Sequence, residues 1–134
     1  MSGRFALLWF LSLFLIACST NDGPIEIPSA EALAGGDATS GEQVFMASCA
    51  QCHAITDEMR TGPGMAGLFQ PEGPTRPAGI DYGSNLPTGE PINEENVARF
   101  ILEGGRGEIA YMPPSNLDTQ QVADLIAYLR TLER

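Results

Sequence analysis

The stretch Cys49-Ala50-Gln51-Cys52-His53 decides how this chain is read. Two thiols separated by two residues stand directly before the chain's single histidine. This is the Cys-x-x-Cys-His spacing of covalent c-type haem attachment. On a helix, residues three apart share a face, so both sulfurs can meet the vinyl groups on one porphyrin edge. The histidine that follows can then place a ring nitrogen over the iron from the same side. A thioredoxin-like redox pair would want a βαβ pattern around the motif, which the sequence lacks. A structural zinc site would want further ligands, and the chain has no other histidine and no spare cysteine.

Upstream, residues 41–48 have the pattern of a helix leading into the motif. Thr39 is its expected N-cap, with Glu42 three residues later completing a capping box. Val44, Phe45, Ser48, Cys49 and Cys52 fall on one helical face. The stretch Gly41 to His53 resembles the N-terminal helix and haem motif of class I cytochromes c. That resemblance implies an all-α fold, about three main helices around one covalent haem c. It implies electron transfer rather than catalysis.

His53 supplies one axial ligand, and the other position is open to a methionine, another side chain or nothing. Met46 sits on the attachment helix itself, and Met59 and Met65 follow His53 closely. Met112 lies much further on, in Ala110-Tyr111-Met112-Pro113-Pro114, where two prolines enforce a loop. This segment resembles the distal methionine loop of the same family, which implies Met112 as the second ligand. A thioether stabilises ferrous iron and raises the potential, and a filled sixth position leaves no site for oxygen or peroxide.

The resemblance extends from about Thr39 to Leu132. Thr61-Gly62-Pro63-Gly64 is similar to the family loop whose proline carbonyl accepts a hydrogen bond from the ligand histidine. Carried over, Pro63 orients His53. A second helix is expected over Ile92 to Glu103, capped by Asn93, stapled by Ile92 and Val97, and ended at Gly104-Gly105. A last helix starts at Asp118 with Gln121 at its third position, and Val122, Leu125, Ile126, Leu129 and Leu132 recur at helical spacing. In the family an aromatic on this helix crosses a glycine of the first helix, here Tyr128 over Gly41. Between Phe69 and Pro91 the chain is rich in glycine and proline and has little periodicity. Gly79-Ile80-Asp81-Tyr82 resembles a family segment whose tyrosine meets a haem propionate, so Arg76, Tyr82 and Asn85 are the candidate propionate contacts.

The N-terminus reads as an address. Arg4 precedes an apolar run from Phe5 to Ala17 that suits an export signal better than a membrane span. Leu15-Ile16-Ala17-Cys18 resembles the bacterial lipoprotein box, which implies cleavage before Cys18 and its lipidation. Residues 1–17 are then the signal, 18–38 the lipidated cysteine and a flexible tether, and 39–134 the haem domain. The alternative for part of the tether is a short helix from Ser29 to Leu33 packed on the domain. The expected location is the extracytoplasmic, periplasmic side of a bacterial membrane. A single small domain is only marginally able to bury its own core, which suits a covalent cofactor.

The charge balance bears on partners. The chain has 17 acidic residues against 7 basic ones, for a net charge of -10, and every base is an arginine. This argues against nucleic acid and anionic membrane surfaces. Family members with a lysine ring dock on acidic sites, whereas a lysine-free surface implies redox partners with a basic or apolar docking face. The expected function is a membrane-anchored monohaem carrier of single electrons between respiratory or photosynthetic partners. A fixed relay subunit of a larger oxidase or reductase, and a haem sensor or peroxidase with a labile methionine, are the alternatives.

Overall fold

The computed structural model describes residues 25–134, so the expected signal and the expected lipidation site at Cys18 lie outside the described residues. In chain order it has α1 (Ala30–Ala34), α2 (Ala38–Ser48), α3 (Glu94–Glu103), β1 (Gly105–Arg106), β2 (Tyr111–Met112) and α4 (Thr119–Thr131). The fold is all-α, with one small antiparallel hairpin that pairs Gly105 with Met112 and Arg106 with Tyr111. Among the described residues no helix is long and apolar enough to cross a membrane.

α4 is the centre of the packing. It starts at a reciprocal capping box: Asp118 accepts from the Gln121 amide at 2.8 Å, and the Gln121 side chain accepts from the Asp118 amide at 3.0 Å. Every residue from Val122 to Leu129 is buried. A helix buried all round needs neighbours on several sides, and α1, α2 and α3 all pack on this one. α2 crosses it as expected. A Cβ added at Gly41 would stand 2.8 Å from Tyr128 Cβ, and the Phe45 and Tyr128 rings meet at 5.7 Å in a tilted arrangement. Such aromatic pairs add ~0.5–1.5 kcal/mol beyond the area they bury.

Two expectations about the N-terminal part change. The tether does not run free to Ala38. Ser29 caps α1, and Leu33 and Pro28 are fully buried, with Leu33 joining the core shared with α4. The short packed helix, the alternative for this segment, is the one present. Apolar Leu33 explains it, because it is buried in the core shared with α4 while Ser29 and Glu31 face water. The cap of α2 is Asp37, not Thr39. Its carboxylate accepts from the Ser40 amide at 2.7 Å, while its own amide donates to buried Asp124 at 2.8 Å. Asp124 also accepts from the Gln120 side chain at 2.7 Å, so this buried carboxylate ties the start of α2 to α4.

α3 matches its expected signals. Asn93 accepts from the Asn96 amide at 2.9 Å, and the helix ends at Gly104 with φ 69°. Gly104 is required twice over. Its φ is left-handed, and a Cβ there would stand 2.6 Å from the Pro114 nitrogen. The helix end therefore lies directly against the Met112-Pro113-Pro114 backbone.

Candidate functional site

The attachment motif does not lie within a helix. α2 stops at Ser48, and Cys49 is its C-cap. The chain then turns on two tight bonds, with the amides of Cys52 and His53 both donating to the Cys49 carbonyl at 3.0 Å. Turn geometry therefore holds the two cysteines and the histidine together, in place of the expected helical face. The turn is pinned from outside, since Arg60 donates to the Ala50 carbonyl at 2.8 Å and the Gly62 amide to the Cys52 carbonyl at 2.9 Å. Neither Arg60 nor Gly62 stands out in sequence as a partner of the motif, because an arginine and a glycine in a polar loop carry no periodic signal.

His53 is half-buried and oriented. Its Nδ1 lies 2.8 Å from the Pro63 carbonyl. A carbonyl can only accept, so Nδ1 carries the proton and Nε2 is the nitrogen left to bind a metal. Gly62 packs flat on the ring: a Cβ there would stand 2.8 Å from Nδ1. Burial pushes the Cys49 thiol up to about 11, with the charge of Cys52 adding to the shift. Among the described residues no three His, Cys, Asp or Glu side chains converge to hold a metal ion. A zinc centre is therefore unsupported there.

These residues open onto one cavity of about 1150 Å³, counting the solvent at its mouth. Cys49, Cys52 and His53 line it, and so does Met112 from the β1–β2 hairpin. Leu125 and Leu129 of α4, Val97, Phe100 and Ile101 of α3, and Phe45 of α2 supply apolar wall. Pro63, Arg76, Tyr82 and Asn85 also line it. Two thiols, an oriented imidazole and a thioether around an apolar space make a donor set that fits covalently attached haem.

The loop residues are themselves engaged. The Arg76 guanidinium donates to the carbonyls of Gly83 and Asn85 at 2.9 and 3.1 Å and lies 5.3 Å over the Tyr82 ring. The Tyr82 hydroxyl accepts from the Glu108 amide at 2.6 Å, which leaves its own proton available to donate. Loop-closing roles for Arg76 and Tyr82 have no sequence signature, since their partners are backbone groups.

A sequence model of the family described as cytochrome c matches residues 38–133. The chain belongs to the cytochrome c family. It is 32% identical over 104 residues to a cytochrome c of Guizotia abyssinica, covering 71% of this chain and 89% of that one. A cytochrome c of Chlamydomonas reinhardtii is 33% identical over 104 residues, at 71% and 88% coverage. A cytochrome c-553-like protein of Synechocystis sp. is 28% identical over 97 residues, at 72% and 70% coverage. This cytochrome c is therefore an electron-transfer haem protein and not an enzyme. Membership implies covalently bound haem c and redox proteins as partners.

Proposed function

We propose that this cytochrome c carries single electrons between respiratory or photosynthetic partners while anchored through lipidated Cys18 to the extracytoplasmic face of a bacterial membrane. His53 and Met112 are the axial ligands of its iron. The observation that carries this reading is that Met112 lines the same apolar cavity as Cys49, Cys52 and His53. When bound, haem c supplies a one-electron couple between ferric and ferrous iron. Cys49 and Cys52 hold the ring through thioether bonds. Pro63 keeps His53 in the tautomer that offers Nε2. Met112 would offer its thioether to the iron, a donor that favours the ferrous form. The apolar walls from α3 and α4 exclude water from the metal, which also favours the state of lower charge. At the rim, Arg76, Tyr82 and Asn85 are polar groups suited to the propionates.

The surface supports a basic or apolar docking partner. Arg60, Arg76, Arg130 and Arg134 donate to backbone carbonyls, Arg99 pairs with Glu95, and Arg106 sits over Tyr111. Each of the six described arginines has a partner within the molecule but keeps its charge, so it is the excess of 17 acidic over 7 basic residues that favours such a partner.

The same tether accommodates a second reading, the fixed relay subunit. Packing on the domain begins at Ile27 and Pro28, so at most ~32 Å of extended backbone separates it from Cys18. A short reach suits a resident of one complex as well as a shuttle.

Met112→Ala tests the ligand assignment. The absorption band of sulfur–iron bonding is expected to vanish and the midpoint potential to fall; if both stay unchanged, Met112 is not the ligand. Cys18→Ser is expected to move the protein from the membrane to the soluble fraction. Co-purification from detergent-solubilised membranes separates relay from shuttle.

A further inference from the structure

The hairpin that carries Met112 is held unevenly. At its base the Ser115 amide donates to the Ile101 carbonyl at 3.0 Å, and the Met112 to Pro114 backbone lies against Gly104. Its turn closes internally through Gly107 and Ala110, also at 3.0 Å. The tip meets the rest of the molecule through one hydrogen bond among the described residues, the 2.6 Å bond from the Glu108 amide to the Tyr82 hydroxyl.

The Tyr82 side of that bond is fixed. Arg76 covers its ring and ties down the carbonyls of Gly83 and Asn85, and the Asn85 amide donates to the Tyr82 carbonyl at 3.0 Å. The contact is also close. A Cβ added at Gly107 would stand 2.8 Å from the Tyr82 hydroxyl and 2.8 Å from Pro87 Cβ. A hairpin with two residues per strand has little stability of its own. Its position is set by what grips its base and its tip.

We infer that Tyr82 is a positioning residue for Met112: its hydroxyl latches the hairpin tip and so keeps the thioether at the cavity. This rests on the reading of Met112 as ligand. It differs from a propionate contact, which would act on the haem edge and leave the Glu108 amide unaffected.

The test uses the haem-loaded protein and three variants, Tyr82→Phe, Met112→Ala and Leu33→Ala. Tyr82→Phe keeps the ring under Arg76 and removes the hydroxyl, the acceptor for the Glu108 amide together with its one donor, so the Glu108 exchange rate is the readout specific to the latch. The Glu108 amide is expected to exchange with solvent ~3- to 10-fold faster, the range for one lost hydrogen bond in a local opening. Carbon monoxide binding by the ferrous protein is expected to quicken by a similar factor, because an open hairpin frees the sixth position. Leu33→Ala loosens the fold away from the hairpin and is expected to leave both rates alone. An unchanged Glu108 exchange rate in Tyr82→Phe overturns the latch. Faster exchange with unchanged carbon monoxide binding also overturns it, provided Met112→Ala binds rapidly. If Met112→Ala binds no faster than the parent, the ligand reading fails instead, and Glu108 exchange alone decides whether Tyr82 holds the hairpin.

Discussion

The Pro63 carbonyl accepts a hydrogen bond from His53 Nδ1 across 2.8 Å, while the neighbouring Gly62 lies flat against the same imidazole. One residue fixes the tautomer and the other leaves room for the ring. An added methyl at residue 62 must displace His53 or the loop, and overpacking of this kind costs ~1–3 kcal/mol. Gly62→Ala is therefore expected to weaken the Pro63 bond and lower the share of low-spin haem. Absorption spectra and thermal unfolding check this. A variant with the parent's spectrum and the parent's midpoint would show that the contact has room to relax.

The segment before α2 belongs to the core. Leu33 is 1% exposed and packs with α4, and Arg130 donates to its carbonyl at 3.1 Å while pairing with Glu94 at 3.4 Å. Leu33→Ala removes a buried side chain from a site closed by backbone bonds, so a cost of ~2–5 kcal/mol is expected. Urea unfolding of the haem-loaded protein with an unchanged slope checks it. A loss below that range would mean that α1 is a loosely held appendage.

What the sequence displays and what it conceals divide along physical lines. The caps at Asn93 and Asp118 are legible because short polar side chains and the apolar residues around them sit at fixed offsets. The haem motif is legible because its chemistry demands contiguous residues. Thr39 misleads because Asp37, two residues earlier, is an equally good cap and is held there by Asp124, a partner far along the chain. The tether misleads for a related reason. Its composition is that of a linker, yet Ile27 and Leu33 pack it onto the core shared with α4. Tyr82 and Arg76 look like ordinary loop polars because their partners are backbone groups. Backbone partners leave no trace in composition or period.

Asp37 ties stability to pH. Hydrogen bonds from the Ser40 amide and side chain hold its carboxyl below the ordinary value of 3.8. The folded state thus binds a proton less readily than the unfolded chain. The contribution of the charged cap is fully present above the ordinary carboxylate range and is lost as pH falls through the lowered folded value. Asp37→Asn keeps a good capping oxygen without the charge. Thermal midpoints taken from about pH 6 down to about pH 2 are expected to fall more steeply for the parent than for this variant. Parallel curves would show that the cap acts without its charge.

The excess of carboxylates sets an expectation for salt. With a net charge of -10, encounter with a basic acceptor is electrostatically assisted. Raising ionic strength shortens the screening length to ~10 Å at 0.1 M, so the bimolecular electron-transfer rate to a basic acceptor is expected to fall with salt. With an acidic acceptor the rate is expected to rise with salt, as screening removes repulsion. Stopped-flow measurements with one acceptor of each sign at low and high salt decide the matter. An acidic acceptor that reacts faster at low salt would point to a local cationic face around the cavity mouth, where Arg106 over Tyr111 is the group to substitute next.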